Sequence, residues 1–274
     1  MIDFDRVRQR LPHLDVVERL AGGEIGAWLV RGPDGHESVL TWSPSSQLDH
    51  TIALMDLAAA AGVPLPRYEA VVDLGDGSAA ILQQRVHGHV PERVTDALVD
   101  HVIELAERRR GLLADAAQPA MALYLREDGP GFCLHEPLRS FSRDTSALLA
   151  AIEAVGERGD TAPGTDVVHL DYHLGNILVT DDEPDRVAAV IDWGGARPGS
   201  IAVDLAILAF DLTWRAPGAI QQRVESYLQA TTDAATFQCM WAHASLRLLD
   251  WSIRHHPEHV DHWVAVARRH LPPA

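Results

Sequence analysis

The apolar positions of this 274-residue chain follow two different periods. In the first third, short runs with the alternation of half-buried strands are separated by turn signals such as Pro33-Asp34-Gly35. One stretch there has helical spacing instead and predicts a helix over residues 47–61. The predicted strands are the run that ends at Val30, Glu37–Trp42, Tyr68–Leu74 and Ala79–Val86. This part of the chain is therefore expected to be rich in β-structure, with one helix.

The first twenty residues carry apolar positions at intervals of three and four, which predict one face of a helix. These positions are Val7, Leu11, Leu14, Val17 and Leu20. Pro12 would interrupt such a helix, because proline lacks the backbone N–H that an internal helical residue donates.

From Thr95 onward the apolar period is helical over most of the chain. After a first helix that includes Leu98 and Leu105, the predicted helices are Asp144–Val155, Ile201–Leu212, Gly218–Thr231, Thr236–His255 and Pro257–His270. Residues 116–143 show no period and are expected to be irregular. No apolar run reaches the length of a membrane-spanning helix, so no membrane segment is expected.

Two short apolar runs in the middle of the chain predict a hairpin. They are Ile177–Thr180 and Val187–Ile191, and the polar turn signal Asp181-Asp182-Glu183-Pro184-Asp185 lies between them. A hairpin returns its far end to its near end, so Asp192 is expected to lie close to Asn176. Amide and carboxylate oxygens suit magnesium, which also binds substrate phosphates. Asn176 and Asp192 are therefore the predicted metal ligands.

A third polar residue precedes this hairpin at a spacing with chemical meaning. His169, Asp171 and Asn176 reproduce the His-x-Asp-x-x-x-x-Asn spacing of a kinase catalytic loop. In such a loop the aspartate meets the substrate hydroxyl and the asparagine holds magnesium. Asp192 ends an apolar run, as the metal-binding aspartate of the kinase Asp-Phe-Gly motif does. Asp171 is therefore the predicted catalytic residue.

In this stretch the chain resembles the aminoglycoside phosphotransferase family of kinase-like small-molecule phosphotransferases. The matching residues are His169, Asp171, His173 and Asn176, then Ile191-Asp192-Trp193, then Gly199 and Asp204-Leu205-Ala206. Leu170 departs from the glycine usual in the family. The resemblance implies an α+β, bilobal, protein-kinase-like fold with a small β-rich N-lobe, residues 1–87, and a larger, mainly helical C-lobe, residues 88–274. In such a fold Asp204 is expected to support the catalytic loop.

The resemblance also implies a nucleotide site. Gly22, Gly23 and Gly26 precede a strand and are expected to lie over the phosphates, although a glycine-rich turn that opens a hairpin has the same pattern. Gln84, Arg85 and Val86 fall where the kinase-like hinge is expected, and their backbone groups are candidates for the adenine edge. An ordinary strand that leaves a sheet is the alternative. The expected cofactors are ATP, or GTP, and Mg²⁺.

Two residues of the kinase-like phosphate site are missing. The strand lysine that holds the α- and β-phosphates is paired with a helix glutamate in kinases. Here those positions fall at Thr41 and Thr51, and the chain contains no lysine. An arginine such as Arg31 or Arg85, or magnesium alone, would then position the phosphates.

Charge and cysteine content indicate which partners and which cellular compartment to expect. The formal net charge is −16, from 39 acidic and 23 basic residues, which argues against a nucleic-acid partner. It favours a cationic substrate, although solubility alone explains an acidic surface equally well. Cys133 and Cys239 have no paired spacing and fit reduced thiols. The N-terminus lacks a secretion signal, so a cytoplasmic location is expected.

The predicted function is transfer of a phosphoryl group from ATP to a hydroxyl of a small, cationic molecule. The resemblance implies an antibiotic-modifying kinase whose acceptor is an aminoglycoside or a tuberactinomycin peptide. A catalytically impaired kinase-like module that only binds nucleotide or ligand is the alternative, because the lysine–glutamate pair is missing. Near the C-terminus, His255, His259 and His262 have helical spacing that fits either a metal site or a solvated histidine face.

Overall fold

A computed structural model describes residues 4–20, 26–116 and 118–272 of the chain. Contacts divide it into two compact units, each made of two segments. The small unit comprises residues 1–91 and 175–196, and the large unit comprises residues 92–174 and 197–274. The sequence predicted a single division after residue 87, whereas the segment that contains the predicted hairpin groups with the first ninety residues.

The small unit is built on a five-stranded antiparallel sheet. Its helices are α1 (Phe4–Arg10) and α2 (Ser45–Ala60), and its strands are β1 (Asp15–Leu20), β2 (Ala27–Arg31), β3 (Glu37–Pro44), β4 (Tyr68–Asp73) and β5 (Ser78–Gln84). The strand order is β1-β2-β3-β5-β4. Strand β3 is central, with Leu40 opposite Leu82 in the register, and Leu40 is fully buried.

The predicted helical face in the first twenty residues is wrong beyond Leu11. Helix α1 ends at Arg10, and Asp15–Leu20 forms an edge strand on β2. Val16 and Val17 are exposed there, so burial does not hold this strand. The backbone hydrogen bonds to β2 hold the strand instead, and β-branched valine fits an extended backbone. Only Val7 of the expected face is fully in the core, beside Val30.

The hairpin is present in the small unit. Strands β9 (Ile177–Leu178) and β10 (Ala189–Val190) pair antiparallel, with Val190 opposite Ile177. The backbone N–H of Val190 also donates to the carbonyl of Pro64 at 2.8 Å. His89 and Val179 form an antiparallel bridge, so both ends of the hairpin are fixed to the rest of the small unit.

The large unit is mainly helical. Its helices are α3 (Asp96–Glu107), α4 (Glu136–Phe141), α5 (Arg143–Gly156), α6 (Ile201–Arg215), α7 (Ala219–Thr231), α8 (Ala234–His255) and α9 (Val260–Ala267). Its short strands are β6 (Met121–Ala122), β7 (Thr161–Ala162), β8 (Asp166–Val168) and β11 (Arg197–Gly199), which pair as β6 with β7 and β8 with β11. Helix α6 is buried along nearly its whole length, as its apolar sequence predicts. The predicted α+β class, with a small β-rich part and a larger helical part, is confirmed.

The described residues also form three short 3-10 helices, Leu174–Asn176, Trp193–Gly195 and Pro257–His259. Within the described ranges, no helix combines the length and apolar character needed to cross a membrane.

Candidate active site

The loop that carries Asp171 is fixed by a buried carboxylate on α6. Asp204 accepts the backbone N–H of His169 at 2.9 Å and that of Leu170 at 2.8 Å. It also pairs with Arg109, whose Nη1 lies 2.5 Å from Asp204 Oδ2. Both charged side chains are fully buried. Asp204 therefore supports the loop through its backbone, in the role that the sequence suggested.

Arg109 connects this carboxylate to the end of α3. Its Nε donates to the carbonyl of Leu105 at 3.2 Å, and its Nη1 donates to that of Val167 at 3.3 Å. The guanidinium lies over the ring of Tyr172, 4.5 Å from the ring centroid. Such a stacked, multiply bonded arginine offsets part of the desolvation cost of burying an ion pair.

Leu170 takes the position that glycine usually occupies in the family, and its backbone is left-handed, with φ of 68°. Glycine adopts this region without a steric penalty, whereas an L-residue pays for it. The Leu170 side chain is buried, with 4% of its surface exposed, and that burial offsets the backbone cost. Its carbonyl accepts a hydrogen bond from Arg247 Nη2 on α8 at 3.3 Å.

Asp171 follows directly and has a half-exposed carboxylate. Its Oδ2 lies 3.5 Å from Nε2 of His173, and its backbone N–H donates to Nδ1 of His169 at 3.3 Å. Burial alone would raise the pKa of Asp171, but the hydrogen bond from His173 and the charges of His173, His169 and Arg247 lower the pKa to about 2. The carboxylate is therefore ionised at neutral pH.

The pKa of His173, the partner of Asp171, shifts in the opposite direction. Burial would lower the pKa of His173, but its hydrogen bond to the Asp171 carboxylate and the charges of Asp171 and Asp211 raise that pKa above 6.5. Asp211 also accepts the backbone N–H of Leu174 at 2.9 Å and pairs with Arg215. Two carboxylates of α6, seven residues apart, thus fix the two ends of one loop.

In the small unit, the hairpin brings Asn176 and Asp192 to adjacent positions. The N–H of Ile191 donates to the carbonyl of Asn176 at 2.9 Å, so Asp192 follows the residue paired with Asn176. Asn176 is buried, and Asp192 is exposed. Asp192 has a left-handed backbone, with φ of 63°, and precedes Trp193, whose Nε1 donates to the carbonyl of Val190 at 2.9 Å. The predicted proximity of Asn176 and Asp192 is thus present in the backbone.

The negative charge of Asp192 affects Tyr68, the first residue of β4. Burial, and secondly the negative charge of Asp192, raise the pKa of Tyr68 to about 12. An amide oxygen from Asn176 and a carboxylate from Asp192 form a hard-oxygen donor set, which fits magnesium rather than a softer metal. The two residues present therefore fit the ion that the family resemblance implies.

The residues predicted to contact the nucleotide lie in different parts of the small unit. Gly22 and Gly23 lie outside the described residues. Gly26 precedes β2 with φ of 81°, a left-handed conformation that favours glycine, and its place over the phosphates stays a prediction. Gln84 ends β5, and its N–H is already bonded to the carbonyl of Arg67 at 2.8 Å.

Arg85 and Val86 follow the end of β5. Ser38 lies opposite Gln84 at the end of the β3–β5 ladder, and Arg85 and Val86 lie outside the strands. Their contact with an adenine edge stays a prediction. The Arg85 side chain pairs with Glu37, which also pairs with Arg31 at 2.7 Å.

Thr41 and Thr51, which the resemblance aligns with the lysine and the glutamate, are both hydrogen-bonded. Thr41 on β3 accepts from Nε2 of Gln83 at 3.3 Å. Thr51 on α2 is buried and donates to the carbonyl of Gln47 at 3.1 Å, one turn earlier in its own helix. Both threonines are thus engaged in neutral hydrogen bonds, one across the sheet and one within its helix.

Three residues of this site were absent from the sequence prediction. Asp211 had a usable signal, because it lies two helical turns after Asp204 and therefore on the same face. Arg109 and Arg247 had none, since Arg109 lies just after α3 and Arg247 lies in α8, both distant from the loop in the sequence.

Residues 16–237 match the sequence model of a family described as "Phosphotransferase enzyme family". This range covers the hairpin, the Asp171 loop and most of both units. No curated protein sequence matches the chain.

Solved structures resemble the chain over nearly its full length. One is a thermostable mutant of aminoglycoside phosphotransferase APH(4)-Ia in ternary complex with AMP-PNP and hygromycin B, at TM-score 0.71 and 15% identity, with 96% of this chain and 97% of that chain covered. Another is APH(2")-IIIa with GDP and kanamycin, at TM-score 0.63 and 14% identity, with 97% and 95% covered. A third is a putative aminoglycoside phosphotransferase from Ralstonia eutropha JMP134, at TM-score 0.65 and 15% identity, with 98% of each chain covered. At these identities the likeness shows the fold, which is the predicted kinase-like one.

Proposed function

The chain belongs to the phosphotransferase enzyme family, and from this premise we propose that Asp171, Asn176 and Asp192 carry out phosphoryl transfer from a nucleotide to a hydroxyl of a small molecule. The observation that carries the proposal is the state of Asp171. Its carboxylate is ionised and half exposed, on a loop whose backbone N–H groups are bonded to buried Asp204. A group that accepts a proton from an alcohol has to be accessible, charged and fixed in position.

Asp171 orients the acceptor hydroxyl and takes its proton as the oxygen attacks the γ-phosphorus. The bond between the γ-phosphorus and the oxygen that bridges it to the β-phosphate breaks, and the nucleoside diphosphate leaves. His173 holds the carboxylate by a contact of 3.5 Å and lowers its basicity. This suits a largely dissociative transition state, in which alignment of the nucleophile contributes more than strong proton abstraction. The Arg247 bond to the Leu170 carbonyl fixes the residue before Asp171 and so positions the carboxylate.

Asn176 and Asp192 would hold magnesium on the nucleotide phosphates. The ion supplies neutralisation of the charge on the transferred phosphoryl group. Among similar structures, one binds AMP-PNP and another binds GDP, which supports a nucleotide here without deciding between adenine and guanine. The backbone groups of Arg85 and Val86 would meet the edge of the base.

Phosphate positioning does not rest on the arginines suggested by the sequence. Arg31 and Arg85 both pair with Glu37, which precedes Thr41 by four residues on β3. Four residues of strand span about 13 Å, so the arginines lie toward the other end of the strand. Asn176 and Asp192, with the ion that they would hold, therefore carry more of this task than in a lysine-containing kinase.

The proposed acceptor is a small cationic molecule such as an aminoglycoside or a tuberactinomycin peptide. The net charge of −16 attracts cations over distance. Two similar structures contain hygromycin B and kanamycin, respectively. The alternative is a module that binds nucleotide or ligand without turnover, and the neutral Thr41 and Thr51 are the observation that favours it.

The test is an incubation of the protein with ATP or GTP, magnesium and a panel of cationic antibiotics, read by mass spectrometry. We expect one panel member to gain the mass of a phosphoryl group, and the Asp171→Asn variant to leave it unmodified. Nucleotide binding by calorimetry separates the two candidate functions. Binding without a modified product from any hydroxyl-bearing compound would favour the non-catalytic module.

A further inference from the structure

The end of α8 and the 3-10 helix after it bring two histidines and a glutamate together. His256 ends α8 with φ of −142° and ψ of 61°, and Pro257 begins the 3-10 helix. The N–H of His259 donates to the carbonyl of His256 at 2.9 Å, which closes one tight turn. The two imidazoles stack, with centroids 5.5 Å apart and planes 15° from parallel. The local backbone thus directs both rings to one side.

Glu258 lies beside both rings. Its Oε1 is 3.4 Å from Nδ1 of His256 and 3.9 Å from Nε2 of His259. All three potential ligand atoms lie within 4.8 Å of one another. Around a tetrahedral zinc ion with bonds of about 2.0–2.2 Å, ligand atoms are about 3.4 Å apart. Two of the three separations are already near this value, and small side-chain rotations would close the third.

We propose that His256, Glu258 and His259 form a binding site for a transition-metal dication of the zinc, cobalt or nickel class. Two imidazoles and one carboxylate are a donor set that suits such ions, and water would complete the coordination. Magnesium prefers oxygen ligands only, so this site is chemically distinct from the Asn176 and Asp192 pair.

Two tryptophans hold the imidazoles in place. The ring of Trp251 lies 4.9 Å from that of His256, and the ring of Trp214 lies 4.7 Å from that of His259. Ligands with restricted rings lose less freedom when a metal binds, because part of the ordering has already occurred.

The site differs from the histidine set that the sequence suggested. Helical spacing grouped His255, His259 and His262, but the chain leaves the helix at His256. His262 instead lies 3.0 Å from the hydroxyl of Thr213. His256 and Glu258 replace His255 and His262 as partners of His259. Bound metal would connect the C-terminal end of α8 to the start of α9.

The experiment uses full-length protein without an affinity tag, titrated with ZnCl₂ or NiCl₂ by calorimetry. We expect one site per chain that survives an excess of Mg²⁺, and a melting temperature that rises with zinc concentration. Cobalt bound at the site should give the visible absorption of a low-symmetry N/O complex. His259→Ala and Glu258→Gln should each weaken binding by about tenfold or more, as even loss of an outer-shell partner costs roughly 10–100-fold.

His50→Ala is the matched control, since His50 is an exposed histidine on α2. It should bind metal as the parent does. Melting in EDTA shows whether each variant is folded, so that a lost site is separated from a lost fold. Metal binding that is unchanged in both His259→Ala and His256→Ala, or no binding by the parent, would overturn the site. None of these results depends on phosphotransferase activity.

Discussion

Arg109 and Asp204 form a fully buried ion pair, 2.5 Å between Nη1 and Oδ2, and Asp204 also bonds the backbone of His169 and Leu170. The same carboxylate thus neutralises a core cation and shapes the loop that presents Asp171. Stability and function are coupled at this pair.

We expect Asp204→Asn to destabilise the protein by about 3–5 kcal/mol, the range for breaking a buried ion pair from one side. The amide keeps the shape but leaves the Arg109 charge without its counter-ion. Urea denaturation measures the change. Glu104→Gln is the control, because its pair with Arg108 is exposed and should contribute about 0–1 kcal/mol. Equal effects of the two changes would contradict the importance of the buried pair.

Asp171→Ala should lower turnover by roughly 10²–10⁴ through loss of the proton acceptor and of hydroxyl alignment. Nucleotide affinity should stay near that of the parent, because Asp171 is not among the proposed metal ligands. Single-turnover kinetics and calorimetry measure the two quantities. Turnover within about tenfold of the parent would remove Asp171 from the proposed mechanism.

The contact between Asp171 and His173 should make stability depend on pH in two directions. The folded pKa of Asp171 is depressed from 3.8 to about 2, so its contribution exists above pH 3.8 and is lost as pH falls toward 2. The folded pKa of His173 is raised above 6.5, so its contribution exists below pH 6.5 and is lost as pH rises through the folded value.

The destabilisation caused by His173→Gln should therefore be largest near about pH 5 and shrink toward about pH 9. Urea unfolding at several pH values measures it. In an Asp171→Asn background the same substitution should lose most of this pH dependence. A pH-independent effect of His173→Gln in the parent would show that the contact is not ionic.

Asp192→Asn should shift the magnesium dependence of nucleotide binding to higher ion concentration. The amide retains an oxygen ligand but removes the charge that opposes the ion. Titration of Mg²⁺ at fixed ATP measures the shift. Asp181→Asn is the control, because Asp181 is an exposed carboxylate of the hairpin turn. An unchanged titration for Asp192→Asn would place the ion elsewhere.

Thr41 and Thr51 offer a test of the small-unit alignment. Thr41→Lys alone adds a partly buried ammonium without a counter-ion, which carries a desolvation cost. The double change Thr41→Lys with Thr51→Glu restores the family's pair and should bind ATP better than the single effects predict, by about 0.5–3 kcal/mol of coupling. Calorimetry on the four proteins measures this. Strictly additive effects would mean that positions 41 and 51 are not neighbours.

The sequence predicted the features that local pattern determines. Most strands of the small unit and most helices after Thr95 follow from periods of two and 3.6, and the hairpin follows from its polar turn. The expectation that residues 116–143 are irregular was wrong at β6 and at α4, because elements of two and six residues are too short to show a period. The period failed at Asp15–Leu20, where pairing with β2 decides the conformation and the valines stay exposed. Edge strands of this kind are set by the neighbouring backbone, which no local spacing encodes.

The site was predictable where its residues are close in the sequence. Asp171 and Asn176 lie in one loop, and Asp192 is returned by one hairpin. Arg109 bonds to Asp204, 95 residues away, and Arg247 bonds to Leu170, 77 residues away. Only the packing of the folded chain brings these residues together. Asp211 was partly predictable, because it lies on the same face of α6 as Asp204 and that helix is recognisable in the sequence.

The hydrogen bond between Gln83 and Thr41 has a consequence for chemical probes of this protein. Nucleotide analogues with an acyl phosphate trap kinases by forming an amide with the lysine near the phosphates. The chain has no lysine side chain to acylate, and the family resemblance aligns Thr41 with that lysine. Such reagents would therefore not label a lysine of this protein in a mixture of kinases. Its nucleotide binding has to be measured by an equilibrium method such as calorimetry instead.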